Sequence, residues 1–291
     1  MGSNPSRSWR TAMIAAAAFI APIGAAHAFQ ASAAPGLNAP KSGAPDADTP
    51  TCAVRRADAR RYVVCIADPQ TDDLRLFHAS PTGEPLKTFD AVDAMLSADG
   101  DMLSFAMNAG MYDRARRPIG LYVENGKTLK RLNQNAGPGN FHMMPNGVFA
   151  IVMDKDPLGA QTRRALVAPS ATFAKGLADG VHDVVYATQS GPMLVIDGAF
   201  HPRFLPQSTS RKRRNGVGVG EDGKAVFVLS DNAVTFYEFA AFFRDHLGVA
   251  NALFLDGTIS RVHAPDLARS DGGLPMGPIV GVVVKEKTDR E

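Results

Sequence analysis

The clearest signals in this 291-residue sequence are short apolar runs broken by Asx-Gly pairs. Asn125-Gly126 stands in LYVENGKTLKRL, Asp197-Gly198 in MLVIDGAFHP and Asp222-Gly223 in VGVGEDGKAVFVLS. Asx followed by Gly suits the left-handed backbone of a tight turn, so each pair predicts two antiparallel strands. Val/Leu/Phe-rich segments predict further strands at 61–67, 74–78, 103–107, 148–153 and 184–188, and PIVGVVVK at 278–285 is expected to close the sheet. One helix is written in full. Thr235 and Glu238 form a capping box, Phe236, Phe239, Ala240, Phe243 and Leu247 repeat with helical period, and Gly248 ends the run. That aromatic stripe is read as core. Weaker helices are expected at 90–97 and 171–177. The passage from the Asp222-Gly223 hairpin through the helix to NALFL (251–255) predicts a crossover with parallel strands. The fold class expected is α+β: a single domain with a hairpin-rich mixed β-sheet and a few packed helices.

The ends of the chain narrow the setting. Arg7 and Arg10 precede an apolar run, TAMIAAAAFIAPI, and the small-residue triplet Ala26-His27-Ala28. Charge, short apolar core and A-x-A site in that order predict a secretory signal peptide over 1–28. The run is shorter than the roughly 20 residues that span a bilayer, so no stable membrane anchor is expected after cleavage. Residues 29–50 are rich in Ala, Pro, Gly and Ser and predict a disordered linker. The folded domain is expected over 51–291. The localisation that follows is periplasmic or secreted. A net charge of +2 gives no bias toward nucleic acid. The only cysteines, Cys52 and Cys65, flank the polar turn candidate 55–61, and in an oxidising compartment they are expected to form a disulfide.

Candidate chemistry lies at strand ends, where polar groups from distant parts of the chain can converge on one pocket. The segments are MNAGMY (107–112), GNF (139–141) with PNG (145–147), QSGP (189–192), RNG (214–216) and DGTIS (256–260). Taken singly, Asn-Gly and Asp-Gly are most often turns, and SRKRR (210–214) is most often a solvated face. The histidines lack metal-ligand spacing, and no nucleophile elbow or P-loop is present. Oxygen ligands from separate loops, with Asp231 or Asp256 among them, could hold Ca²⁺ or Mg²⁺, but no contiguous motif specifies such a cofactor.

In combination and in this order, FAMNAGMY, PIGLYVENGK, GNF, PNGVF, ATQSGPMLV, RNGVGV and the stretch from FAAFFRDHLG to NALFLDGTIS resemble the phosphodiester glycosidase family, with the small bacterial periplasmic members closest. The resemblance runs from about Arg61 to His263 and implies a hydrolase that cleaves the glycosidic bond of a sugar 1-phosphodiester in an envelope or extracellular glycan. It puts the position of Asp256 in the pocket, and the chemistry such a reaction needs assigns Asp256 as general base or nucleophile, with Asp231 as second choice. Arg214, with Arg211, would bind phosphate. Asn108, Asn140, Gln189 and Asn215 would fix sugar hydroxyls, and Gly110 and Gly191 would allow close backbone approach. Asn146, Ser190, Gly257 and Ser260 complete the expected substrate-binding set. Many members carry Asp-Gly-Gly-x-Ser where this chain has Thr258 in place of the second Gly, a departure that bears on the sugar subsite. The competing class is a non-catalytic periplasmic protein binding glycan or phosphoglycan; an ordinary glycosidase would need a second essential acid within reach of Asp256.

Overall fold

A computed structural model describes residues 51–155, 160–257 and 259–286. The expected signal peptide, the linker and Thr258 lie outside the described residues. Three antiparallel sheets are built from seventeen strands. The first has seven strands in the order β1 (Cys52–Ala57), β2 (Arg60–Ala67), β13 (Ala225–Ser230), β12 (Asn215–Val219), β14 (Asn251–Asp256), β10 (Met193–Ile196) and β11 (Ala199–Phe200). The second runs β16 (Arg269–Ser270), β15 (Val262–Ala264), β4 (Asp101–Asn108), β17 (Ile279–Lys285) and β3 (Asp73–Phe77). The third runs β6 (Lys127–Lys130), β5 (Tyr122–Glu124), β9 (Asp183–Ser190), β7 (Gly147–Lys155) and β8 (Gln161–Pro169).

The period of two along the strands decides which face meets which core. On β2, Val63 and Cys65 point into a central core shared by all three sheets, with Phe105 and Met107 of β4, Phe149 and Ile151 of β7, and Val217 and Phe227. The alternate residues Tyr62 and Val64 face the other way, onto Phe239 of helix α3 (Phe236–Ala241) and Phe243 of the turn that follows it. The same division recurs on the other sheets. Helix α1 (Phe89–Leu96) covers the second sheet with Phe89, Val92 and Leu96. Helix α2 (Ser170–Ala178) covers the third with Phe173 against Val148, Ala150 and Val152. Each sheet thus buries one face in the common core and the other under a helix.

All three Asx-Gly pairs sit in the predicted hairpin turns, and the Thr235–Glu238 capping box is formed at both of its hydrogen bonds. After Ala241 the helix widens into a π-helical turn, Phe242–His246. The sheets differ from the expected mixed arrangement: every described pairing is antiparallel. The crossover from β13 through α3 does give parallel strands, but β12 lies between β13 and β14 and pairs antiparallel with both. Nor does the 278–285 segment close a sheet; β17 lies inside the second one, between β4 and β3. Cys52 and Cys65 face each other across the first hairpin and are joined by a disulfide. Among the described residues, no helix is long and apolar enough to cross a membrane.

Candidate active site

The topology brings several strand ends together. Asn108 ends β4, Asp256 ends β14, Asn215 opens β12, and Asn215 and Asp256 are register partners. Asn108 is fully buried and ties these ends. Its Nδ2 donates to Asp256 Oδ2 at 3.0 Å, its Oδ1 accepts from the Arg261 backbone N–H at 2.8 Å, and its carbonyl accepts from Asn215 Nδ2 at 2.7 Å. Ser260 Oγ then donates to Asn215 Oδ1 at 3.1 Å. Asn108 and Asn215 therefore spend their amides on protein groups and fix the carboxylate of Asp256 in place.

Asp256 lines a cavity of about 480 Å³ with Met111, Tyr112, Ile119, Asn140, Ser210, Lys212, Arg214, Phe236, Phe254, Gly257 and Ile259. The carboxylate keeps part of its surface open to this space. Burial of the rest pushes its pKa up from the usual 3.8 to about 6, against the opposing effects of the Gly257 N–H at 2.7 Å, Asn108 and the charges of Arg261 and Arg116. At neutral pH most of it is ionised, and near pH 6 it exchanges a proton readily, which suits a general base.

Arg214 forms another part of the wall and is 2% exposed. Its Nε donates to the Val234 carbonyl at 2.9 Å and its Nη2 to the Ser210 carbonyl at 3.1 Å. The guanidinium carbon lies 3.7 Å from the centre of the Phe236 ring and 5.5 Å from that of Phe254. No carboxylate among the described residues pairs with it. Burial alone lowers its pKa to about 10, so the cation persists at neutral pH. With two of its N–H groups held by carbonyls, the Nη1 edge is left to meet an anionic ligand.

Four of the sequence-selected residues, Asn140, Arg214, Asp256 and Gly257, line this cavity. Ser190 supports it from behind, its hydroxyl donating to the Leu255 carbonyl at 2.8 Å. Gly110, at φ 151°, leaves space where a Cβ would approach Thr188 Oγ1 to 2.7 Å. The remaining residues stand apart. Gln189 is consumed by the backbone of Leu121 and Asn133 and by Ser170. Asn146 donates to the Phe141 carbonyl, and Gly191 fits tightly against it, since a Cβ there would meet Asn146 Cβ at 2.6 Å. Arg211 pairs with Glu238 at 2.6 Å. Asp231 is held at 2.8 Å by Arg269, with Arg61 and Arg213 within 4 Å. Among the described residues, no group of three or more His, Cys, Asp or Glu side chains could hold a metal ion. Sequence reasoning gave no role to Tyr112, Lys212, Phe236 or Phe254 in the cavity; Tyr112 was within reach as the last residue of FAMNAGMY.

The chain is 38% identical over 196 residues to the uncharacterized protein YigE of Escherichia coli (strain K12), covering 67% of this chain and 71% of that one. Its fold is similar to the zebrafish N-acetylglucosamine-1-phosphodiester alpha-N-acetylglucosaminidase catalytic domain, auto-inhibited by its pro-peptide, with a TM-score of 0.53 at 14% identity, covering 81% of this chain and 85% of that one. A hypothetical protein from Synechocystis aligns with a TM-score of 0.47 at 15% identity, over 80% of this chain and 61% of that one. The family profile described as phosphodiester glycosidase matches residues 101–264, which include every residue lining the cavity. The chain belongs to the phosphodiester glycosidase family.

Proposed function

We propose that this protein is an exported hydrolase that cleaves the glycosidic bond of a sugar 1-phosphodiester in an envelope or extracellular glycan. The observation that carries the proposal is the pairing, in one cavity, of a partly buried carboxylate with a buried guanidinium that has no acid partner. An ordinary glycoside needs one carboxyl group to protonate the leaving oxygen and a second to act at the anomeric carbon. A phosphodiester departs as a phosphate monoester whose second pKa is already near ~6. One carboxylate is then enough, provided a cation receives the phosphate.

Arg214 is the phosphate ligand in this scheme. Asp256 acts at the anomeric carbon, taking a proton from the attacking water or attacking directly. Asn140 reaches the sugar from the cavity wall, and Phe236 and Phe254 keep water away from the guanidinium. The disulfide supports export, because such bonds persist in oxidising compartments. The test is to incubate purified protein with a methyl ester of N-acetylglucosamine 1-phosphate and look for free sugar and methyl phosphate. Tight binding without release would place the protein among non-catalytic phosphoglycan binders.

A further inference from the structure

The basic run SRKRR (210–214) divides its cations between two fates. Lys212 bridges Val234 with backbone hydrogen bonds of 3.0 and 2.8 Å, and the Arg214 carbonyl accepts from the Ser230 N–H at 2.8 Å, so the chain is extended as it enters β12. Alternate side chains of an extended segment share a face. Ser210, Lys212 and Arg214 accordingly line the cavity of Asp256. Arg211 and Arg213, between them, pair instead with Glu238 at 2.6 Å and Asp271 at 2.7 Å. Those two acids are held further by Arg60 and Arg269, and Asp231 by Arg269. Lys212 is left with no carboxylate within 4 Å among the described residues.

The cavity thus holds one more cation than a phosphodiester needs. In the proposed reaction Asp256 answers to the anomeric carbon and Arg214 to the phosphate, which leaves the Lys212 ammonium without a counterpart. Its place indicates where that counterpart lies. Asn215 is the register partner of Asp256, and read back from it the chain passes Arg214 first and Lys212 two residues later, ~6.5 Å farther along an extended backbone. Arg214 is buried and Lys212 exposed, so the same direction leads from the inner wall of the cavity to its open side. A substrate with its sugar at Asp256 and its phosphate at Arg214 brings the alcohol esterified to that phosphate past Lys212. We propose that Lys212 sets specificity for the acceptor, and that the acceptor alcohol carries an acidic group, a carboxylate or a second phosphate, close to the phosphodiester. This rests on the reading of the cavity as a sugar 1-phosphodiester site. Lys212 stands away from the bond that breaks, so its ion pair contributes equally before and during the reaction and shows in KM.

The test compares three esters of N-acetylglucosamine 1-phosphate, made through a primary hydroxyl of glycerol, glyceric acid or glycerol 3-phosphate. Wild-type protein should favour at least one acidic ester over the glycerol ester by roughly 3–5-fold in kcat/KM, the upper range for an ion pair at an exposed site, with the gain in KM. Which acidic ester is preferred distinguishes a carboxylate from a phosphate. Lys212→Met should bring the ratio to about one, Lys212→Arg should keep it, and ~1 M salt should erase it in wild type. A wild-type ratio of about one, or a preference that survives Lys212→Met, would overturn the proposal while leaving the hydrolysis standing. So would an equal loss on all three esters in Lys212→Met, which would make Lys212 a second ligand of the phosphodiester itself. If no ester is turned over, the hydrolase reading falls, and the same ratio is taken from Kd by calorimetry. A preference that Lys212→Met removes would then uphold the acidic-acceptor site, and equal or undetectable affinities would overturn it.

Discussion

Replacing Asp256 by Asn tests the site through stability and chemistry together. The titration of Asp256 stands at about 6 against the usual 3.8, a rise of about two units, or ~3 kcal/mol at 1.36 kcal/mol per unit. The folded state holds this proton more tightly than the unfolded chain does. The penalty for ionising Asp256 is therefore absent below pH 3.8, grows as pH rises and is complete above about 6. Asn removes that penalty but brings its own cost: whichever way its amide turns, the nitrogen meets a donor, the Gly257 N–H or Asn108 Nδ2, and Asn108 cannot turn over without releasing the Arg261 N–H. A donor left unpaired in this way costs about 1–3 kcal/mol at every pH. Asp256→Asn should then be less stable than wild type by that amount near pH 4 and close to wild type, or more stable, near pH 8. Urea unfolding at the two pH values should show a swing of ~2.5 kcal/mol between the proteins. In parallel, wild-type turnover should rise as pH passes through 6, and the variant should hydrolyse a sugar 1-phosphodiester at least ~100-fold more slowly. No swing would mean that Asp256 is not the carboxylate with the raised pKa. A swing with turnover intact would remove Asp256 from the chemistry.

Arg214→Lys should lower turnover of a phosphodiester at least ~10-fold more than that of a neutral aryl glycoside, because a point charge cannot reproduce the planar donor edge; equal losses measured on the two would make Arg214 structural. Asp231→Asn should lower stability by ~1 kcal/mol, since Arg269, Arg213 and Arg61 lose a shared partner, while turnover stays within about 3-fold of wild type because Asp231 does not line the cavity; a loss of two or more orders of magnitude in a steady-state assay would return it to the chemistry. Joint replacement of Cys52 and Cys65 by Ser should cost ~3 kcal/mol in denaturant unfolding and leave turnover intact, both residues lying outside the cavity.

Local rules were legible in the sequence where one residue's geometry decides the outcome. Asx-Gly turns need positive φ at adjacent positions, and Asn125 and Gly126 have φ of 49° and 74°. The capping box and the facing cysteines are of the same kind. Partition into three sheets was not legible, because a period of two identifies a strand without naming its partner. Strand β8 escaped notice because QTRRALVAP begins with polar and charged residues that stay exposed or half-exposed. The site divides in the same way. Asn108, Asn140, Gln189 and Asn215 carry the same amide and lie at similar places in their motifs, yet depth separates them. Asn140 opens on the cavity, whereas the other three are buried and bonded to protein groups. Tyr112 was missed because reaching the cavity wall is a property of packing and leaves no trace in residue order.

The two charged walls of the cavity share one economy. Burial works against both charges: it raises the pKa of Asp256 and lowers that of Arg214. Neither is relieved by the other, for no ion pair joins them, and the charges of Arg261 and Arg116 offset the burial of Asp256 only in part. Asn108 and the aromatic rings hold both groups in place, so they cannot escape by moving into water. In the proposed reaction, an arriving phosphodiester would relieve Arg214 at once, its phosphate replacing the missing carboxylate. Asp256 would be relieved only later, as positive charge grows on the anomeric carbon. On that proposal one half of the penalty favours binding, and the other favours the transition state over the bound substrate, which is the half that accelerates a reaction.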